Sequence, residues 1–251
     1  PAYAIGIWKK AMRDQSLQLD LPGLAGVIAV LALAALRRRF DPRLGWPALA
    51  LLAAAIIMPR HIFGGDYADY RMIPPALMLG CMAMDWRAPR WALWAAGSLF
   101  AVRLAVTCQA WVAEAPVFEA KLALLDHVPR GAVVANAIAV NPTEWRFRPD
   151  EHICGFAVVR RDALSNCNFA IARVHMLGLK RFGPEFTDPS HRLFVLAGQR
   201  PDLSAFPPAA HAQYLWYLGD AEPLRLPPGA TVIARTPGAL LARLAKSADA
   251  H

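Results

Sequence analysis

Residues 21–39 read LPGLAGVIAVLALAALRRR, an apolar run that ends in three arginines. The residues favour a helix, and with residues 17–20 the run approaches the roughly 20 residues that a helix needs to cross a bilayer. Arginines that follow such a run are a topology signal, because basic loops stay on the cytoplasmic side. The stretch therefore predicts a membrane span at about residues 17–36.

Three further apolar stretches predict spans on its C-terminal side, at about residues 44–58, 72–84 and 91–113. The first two of these are short for a bilayer, so they must be tilted, extended by flanking residues or shielded by other helices. The last one keeps amphipathic character beyond its end until VPRG at 128–131. It predicts a helix that leaves the membrane over residues 114–127.

The composition separates a membrane part from a soluble part. Hydrophobic residues make up 56% of the chain and charged residues only 18%, which is more apolar than an ordinary soluble domain. The net charge of +8 does not indicate nucleic-acid binding, since the basic residues are scattered and form no tract interleaved with aromatics. We expect about four transmembrane helices followed by a small α+β domain over residues 128–251. Residues 1–20 are either a helix at the membrane surface or a connecting segment.

Short β-branched or aromatic runs, bounded by Pro, Gly, Asn and Asp, predict the strands of a small sheet in the soluble part. The runs are GAVVANAIAV (131–140), HICGFAVVRR (152–161), RLFVLAG (192–198), QYLWYLG (213–219) and ATVIART (230–236). PGALLARLAK (237–246) has leucines at helical spacing and predicts a terminal helix on that sheet. Residues 161–187 are ambiguous, with a helix-containing insertion as one interpretation.

Charges in the short loops predict the orientation. RRRFDPR (37–43) and DWRAPR (85–90) are basic and separated by two spans, so both should face the cytoplasm. The loop at residues 61–71 and the domain at 128–251 should then share the opposite face.

The loop HIFGGDYADYR (61–71) concentrates the polar side chains His61, Asp66, Asp69 and Arg71. Carboxylates at this spacing suit a divalent cation or a general base, and the planar fork of Arg71 suits a lipid phosphate. A structural interpretation is equally open, in which the aspartates cap the next helix and the tyrosines form an interfacial belt.

Arg103 stands in the middle of the fourth predicted span. An intramembrane arginine costs about 2.5–3.5 kcal/mol on insertion scales, which makes Arg103 a candidate for function. One hypothesis pairs it with Asp66, Asp69 or a lipid phosphate. In the other, it snorkels to the non-cytoplasmic surface.

Two of the four cysteines, Cys154 and Cys167, belong to the soluble part. Outside the cytoplasm they could form a disulfide that closes a loop of about 14 residues and contributes roughly 3 kcal/mol. Two buried free thiols fit the sequence equally well. No metal site is predicted from the histidines of this part, because they lack the spacing of a zinc site: His127, His152, His175, His191 and His211.

A family resemblance rests on the basic turns together with GGDYADYR (64–71), VPRGAVV (128–134) and HICGFAVVRRDALSNCNFAI (152–171). The combination resembles the C-terminal half of bacterial multi-spanning proteins of the glycosyltransferase-C type, similar to dolichyl-phosphate-mannose mannosyltransferases and aminoarabinose transferases. The resemblance implies a multi-pass inner-membrane enzyme with a periplasmic C-terminal domain. Such an enzyme moves a sugar from a polyprenyl-phosphate carrier to a cell-envelope glycan or lipid acceptor.

Under this resemblance Asp66 and Asp69 are candidate catalytic residues, while Arg71, Arg103 and His61 are candidates for lipid-phosphate binding. The chain begins at Pro1 with no leader, so we expect a piece of a longer protein. The family's catalytic aspartate would lie upstream. Two other classes stay open: a glycolipid transporter or flippase, and a non-catalytic assembly protein with a periplasmic docking domain.

Overall fold

The structure, a computed structural model, describes residues 2–60, 62, 67–85, 88–172, 174–180, 182–187 and 189–245. The chain forms two compact units. The helical unit consists of Pro1–Ala110 and Trp145–Phe147, and the α/β unit consists of Trp111–Glu144 and Arg148–His251.

Helices dominate the first half of the chain. They are α1 (Ala2–Lys10), α2 (Leu17–Leu36), α3 (Pro42–Ile57), α4 (Ala68–Met82) and α5 (Arg90–Ala123). A 3-10 helix at Leu124–His127 follows α5. The four predicted spans therefore fall on α2 to α5, and the predicted extension of the last span is helical throughout.

Local sequence signals set several of the helix ends. The Asp41 side chain accepts a hydrogen bond from the Arg43 amide at 2.9 Å, and Pro42 occupies the first helical position of α3. After α2, Arg38 adopts a left-handed conformation with φ 53°. Tyr67, also left-handed with φ 60°, precedes α4.

Within the described residues, two helical segments are long and apolar enough to cross a membrane. One is Leu17–Leu36, and the other is the continuous helical segment Arg90–His127. Pro42–Ile57 is apolar but shorter. The core of the helical unit lies among the first four helices and contains Ile7, Leu24, Ala55, Ile73 and Leu77.

Six strands of the described residues form one mixed sheet in the order β2-β1-β4-β6-β5, with β3 also pairing with β1. The strands are β1 (Val133–Val140), β2 (Leu164–Ser165), β3 (Arg192–Phe194), β4 (Tyr214–Leu218), β5 (Thr231–Thr236) and β6 (Ala239–Arg243). β1 runs parallel to β2, β3 and β4, whereas β6 is antiparallel to both of its neighbours.

Both faces of this sheet are covered. Val134, Ile138 and Trp216 pack on one face with Leu122 and Leu125, which lie in α5 and the 3-10 helix after it. On the other face, the core contains Ala135, Ala137, Leu215, Tyr217, Phe186, Leu203 and Phe206.

The predicted strand at 152–161 is wrong. The chain there forms a 3-10 helix at Pro149–His152 and the helix α6 at Gly155–Arg161. Ala157 is buried whereas Val158 and Val159 are both exposed, so burial does not alternate as it does in a strand. The β propensity of the valines yields to packing at Ala157.

The predicted terminal helix at 237–246 is also wrong, since β6 occupies Ala239–Arg243. Pro237 and Gly238 form the turn after β5, with Gly238 at φ 72°, a conformation that glycine adopts without strain. β6 lies between β4 and β5, and its first four residues are buried. A strand buried on both faces reads as a continuous apolar run, which is easily taken for a helix.

Candidate functional site

The predicted polar loop at 61–71 is described only in part. His61 and Asp66 lie outside the described residues. Asp69 is buried in the first turn of α4, and its Oδ1 accepts a hydrogen bond from the Tyr70 amide at 2.8 Å. This contact satisfies one of the free N–H groups in the first turn, while the N-cap position itself is occupied by Tyr67, which makes no side-chain capping hydrogen bond. Arg71, two residues later, is exposed.

A hydrogen bond joins the start of α4 to the end of α1. The Tyr70 hydroxyl donates to the carbonyl oxygen of Lys10 at 2.6 Å. Lys9 and Lys10, in the last turn of α1, are exposed. We call Lys9, Lys10 and Arg71 the cationic rim. These three positive side chains lie at the end of α1 and the start of α4, which the Tyr70 hydrogen bond joins.

Aromatic rings lie beside this rim. The Tyr67 and Tyr70 rings meet edge to face, with centroids 6.4 Å apart. The guanidinium carbon of Arg60 lies 4.5 Å from the centroid of the Tyr67 ring. Cations above aromatic rings at a helix end are typical of sites that meet a polar headgroup on one side and apolar chains on the other.

Arg103 is paired with a different acid from those predicted. Its Nη2 lies 2.9 Å from Oδ1 of Asp20 and donates to the carbonyl oxygen of Met12 at 2.9 Å. A Cβ atom built on Gly23 would lie 3.4 Å from Nη1 of Arg103, so this glycine leaves room for the guanidinium against α2. The hypothesis of pairing with Asp69 is therefore wrong, and Asp66 lies outside the described residues.

Asp20 holds a polar node together. It is almost fully buried, and Oδ2 accepts from the Asp14 amide at 2.7 Å and from the Trp145 indole N–H at 2.9 Å. With the Arg103 contact, the carboxylate has three donors. Such a carboxylate orients its neighbours, and its oxygens are already occupied by donors of the protein.

The segment Trp145–Phe147 joins the same node. The Arg13 side chain donates to the Trp145 carbonyl and, at 2.9 Å, to the Arg146 carbonyl. The Phe147 amide donates to the Asp14 carbonyl at 3.1 Å. These contacts tie a segment distant in sequence to the turn between α1 and α2.

Sequence reasoning missed Asp14, Asp20 and Trp145. The available signal was the acid at the start of the first predicted span, which could have been matched with the arginine inside the fourth. Charges at membrane depth usually pair with one another.

In the α/β unit, a disulfide joins Cys154 and Cys167, with Cα atoms 6.3 Å apart. Of the two alternatives, the structure thus has the bridge. It links the residue before α6 to the segment after β2.

A buried charge network lies in the same unit. Lys121 and Asp150 are buried and lie 2.9 Å apart, and Arg148 contacts Asp150 at 3.0 Å and Asp220 at 2.6 Å. The hydrogen bond from Arg148 lowers the pKa of Asp220, and it raises the pKa of the guanidinium in turn. These charges fasten α5 to the loops around the sheet, which is a structural role.

An amide bridges a gap in the sheet. β2 and β3 pair with different parts of β1, and between them Asn166 accepts from the Asn136 amide at 2.6 Å and donates to its carbonyl at 3.0 Å. Nearby, His191 is buried. Burial lowers the pKa of His191 to about 4, assisted by the positive charge of Arg192, while a hydrogen bond with the backbone of Glu151 acts in the opposite direction.

Within the described parts of the chain, no group of three or more His, Cys, Asp or Glu side chains could hold a metal ion. Because Asp66 lies outside those parts, the predicted divalent cation at the loop stays a prediction.

Comparison with models of known protein families, with curated proteins and with solved structures finds no match.

Proposed function

We propose that this chain is the C-terminal part of a membrane glycosyltransferase of the glycosyltransferase-C type, which transfers a sugar from a polyprenyl-phosphate carrier to a cell-envelope acceptor. The proposal rests on the resemblance in sequence and on one observation, the cationic rim. A lipid-linked donor presents its phosphate at the membrane surface, where a site needs cations on an apolar support.

The rim fits that chemistry. Arg71 offers a planar fork of donors for phosphate oxygens, and Lys9 and Lys10 add point charges. The Tyr70 contact with Lys10 keeps the two helix ends together, so the phosphate would meet cations from both. Arg103 does not serve here, since its guanidinium is held by Asp20 and Met12.

The disulfide supports the side of the membrane that we propose for the α/β unit. Disulfides persist in oxidising compartments such as the bacterial periplasm and are rare in the cytosol. A bridge between Cys154 and Cys167 therefore favours a periplasmic α/β unit.

The transporter alternative gains no support from α4. Interrupted helices mark the binding sites of many transporters. Pro74 and Pro75 lie inside α4, which is assigned as one helix from Ala68 to Met82.

Lipid binding tests the proposal directly. The chain is reconstituted into nanodiscs and its binding of undecaprenyl phosphate is measured by native mass spectrometry, with undecaprenol as the uncharged comparison. We expect preference for the phosphate, and we expect the double variant Lys10→Gln/Arg71→Gln to lose it. Arg39→Gln removes an exposed charge at the far end of α2 and should bind as the parent does. Equal binding of phosphate and alcohol would contradict the proposal and favour the docking protein.

Topology offers a second test. A membrane-impermeant maleimide added from the periplasmic side should label Ala68→Cys and spare Ala88→Cys, because α4 would separate the two positions. The reverse pattern would overturn the orientation. In a longer protein with measurable transfer, Asp69→Asn and Asp66→Asn should abolish sugar transfer at unchanged protein level; unaffected transfer would leave Asp69 with its capping contact alone.

A further inference from the structure

The segment after the disulfide carries an unusual surface. Phe169, Val174, Met176 and Leu177 are exposed, and the Met176 side chain is fully so. We call these four residues the apolar loop. Contiguous apolar surface on a protein marks sites of interaction with other proteins, ligands or membranes.

The apolar loop is folded locally. The Ile171 amide donates to Nδ1 of His175 at 3.1 Å, and the Val174 amide donates to the Ile171 carbonyl at 3.1 Å. The His175 ring lies edge to face with Phe169, with centroids 5.6 Å apart. The apolar side chains are thus exposed by a defined turn.

Within the α/β unit, α6 packs against the part of α5 that belongs to this unit, from Trp111 onward. The Phe118 and Phe156 rings meet edge to face with centroids 5.8 Å apart, and Arg160 binds Glu119 at 3.1 Å. Farther along, Arg161 pairs with Asp126. The N-terminal end of α6 therefore lies at Phe118.

The disulfide joins the apolar loop to the same end of α6. Cys154 directly precedes α6, and its bond to Cys167 holds the start of the loop at the same end of the helix. Phe169 follows Cys167 by two residues. The bridge thus connects the apolar loop to the level of Phe118 on α5.

That level is close to the proposed membrane surface. Phe118 follows residue 113, the end of the predicted span, by five residues, or about 7.5 Å along a helix. The headgroup layer on each side of a bilayer is roughly 5–7 Å thick. The N-terminal end of α6, in contact with Phe118, then lies at the outer edge of the headgroup layer.

We propose that the apolar loop inserts into the lipid headgroup region and that the disulfide holds it there. Phe, Met and Leu on such a loop suit the boundary between headgroups and acyl chains, and the exposed Lys180 suits anionic lipid. This inference rests on the membrane-spanning α5 of the proposed function.

Photo-crosslinking tests the inference. The photoreactive residue p-benzoylphenylalanine replaces Met176, Phe100 in the predicted span, or Leu224, an exposed apolar residue of the α/β unit, one at a time. The full chain is reconstituted into vesicles that contain radiolabelled phosphatidylglycerol and is then irradiated. We expect Met176 and Phe100 positions to capture lipid several-fold more than the Leu224 position. The double variant Cys154→Ser/Cys167→Ser should lower capture at Met176 and leave capture at Phe100 unchanged.

The other possible results distinguish failure of the inserted loop from failure of the membrane span. Capture at Phe100 without capture at Met176 overturns the inserted loop and leaves the membrane span intact. Loss at both positions overturns the membrane span, and the loop with it. Capture of a protein in place of lipid at Met176 makes the loop a docking site, and capture that persists without the disulfide removes the role of the bridge.

Discussion

The two units differ in the large apolar side chains that they expose. In the helical unit, large apolar residues point outward: Ile57 is 81% exposed, Trp94 77% and Phe100 67%, while the acids Asp20 and Asp69 are almost fully buried. In the α/β unit, Trp216, Leu215 and Leu241 are fully buried at the sheet. The second pattern is that of a protein in water, and the first is the one expected for helices surrounded by lipid.

Ion pairs extend this comparison. Both units hold a pair of opposite charges with at least one buried partner: Asp20 is buried beside the partly buried Arg103, and Asp150 and Lys121 are both buried. Each pair joins elements distant in sequence. In both units, an ion pair with a buried partner therefore holds distant segments together. The units differ in the surface that they present to their surroundings.

Breaking the pair in the α/β unit should have the largest effect. Asp150→Ala leaves Lys121 charged and buried, which we expect to lower the free energy of unfolding by about 3–5 kcal/mol. Arg130→Ala breaks an exposed pair with Asp162 and should cost less than about 1 kcal/mol. Urea unfolding of the detergent-solubilised chain measures both. Equal losses would mean that burial of the Lys121 charge does not matter.

Removal of the disulfide should come next. Cys154→Ser/Cys167→Ser should lower the free energy of unfolding by roughly 3 kcal/mol, because the unfolded chain gains freedom when the loop opens. Cys108→Ser changes a free cysteine in α5 and serves as the control. If both variants unfold at the same urea concentration as the parent, or if Cys154 and Cys167 alkylate freely in the oxidised protein, the bridge is absent.

A smaller effect should follow from pH. The pKa of His191 is lowered to about 4, so between about pH 6.5 and pH 4 the unfolded chain binds a proton that the folded chain excludes. Stability should therefore fall as the pH drops through this window, by at most about 3 kcal/mol. The variant His191→Asn should lose this dependence of stability on pH. The measurement compares the urea midpoint of the parent with that of the variant at each pH. An unchanged slope would show that His191 is not responsible.

Much of the helical unit could be predicted because lipid-facing helices need long apolar runs. The predicted span at 17–36 coincides with α2, and the helical extension after residue 113 rests on the same run of amphipathic positions. The sequence shows that Asp20 and Arg103 are charges within apolar runs, but their pairing depends on how α2 and α5 pack, which one sequence does not determine.

In the α/β unit, local patterns predicted β1, β4 and β5 because turn residues bound them. They failed where tertiary packing decides the outcome. The valines of 152–161 favour a strand, yet Ala157 packs a helix against the core. The leucines of β6 follow a Pro-Gly turn, and this turn signal was the better guide than their spacing.

The central claim is that the apolar exterior of the helical unit lies in lipid. A nitroxide spin label at Trp94→Cys, in a chain with Cys81 and Cys108 replaced by serine, reports this by its collisions with oxygen and with a water-soluble nickel chelate. In vesicles, we predict frequent collisions with oxygen and few with nickel at this position, and the reverse at Leu224→Cys in the α/β unit. Nickel access at Trp94 equal to that at Leu224 would contradict the account.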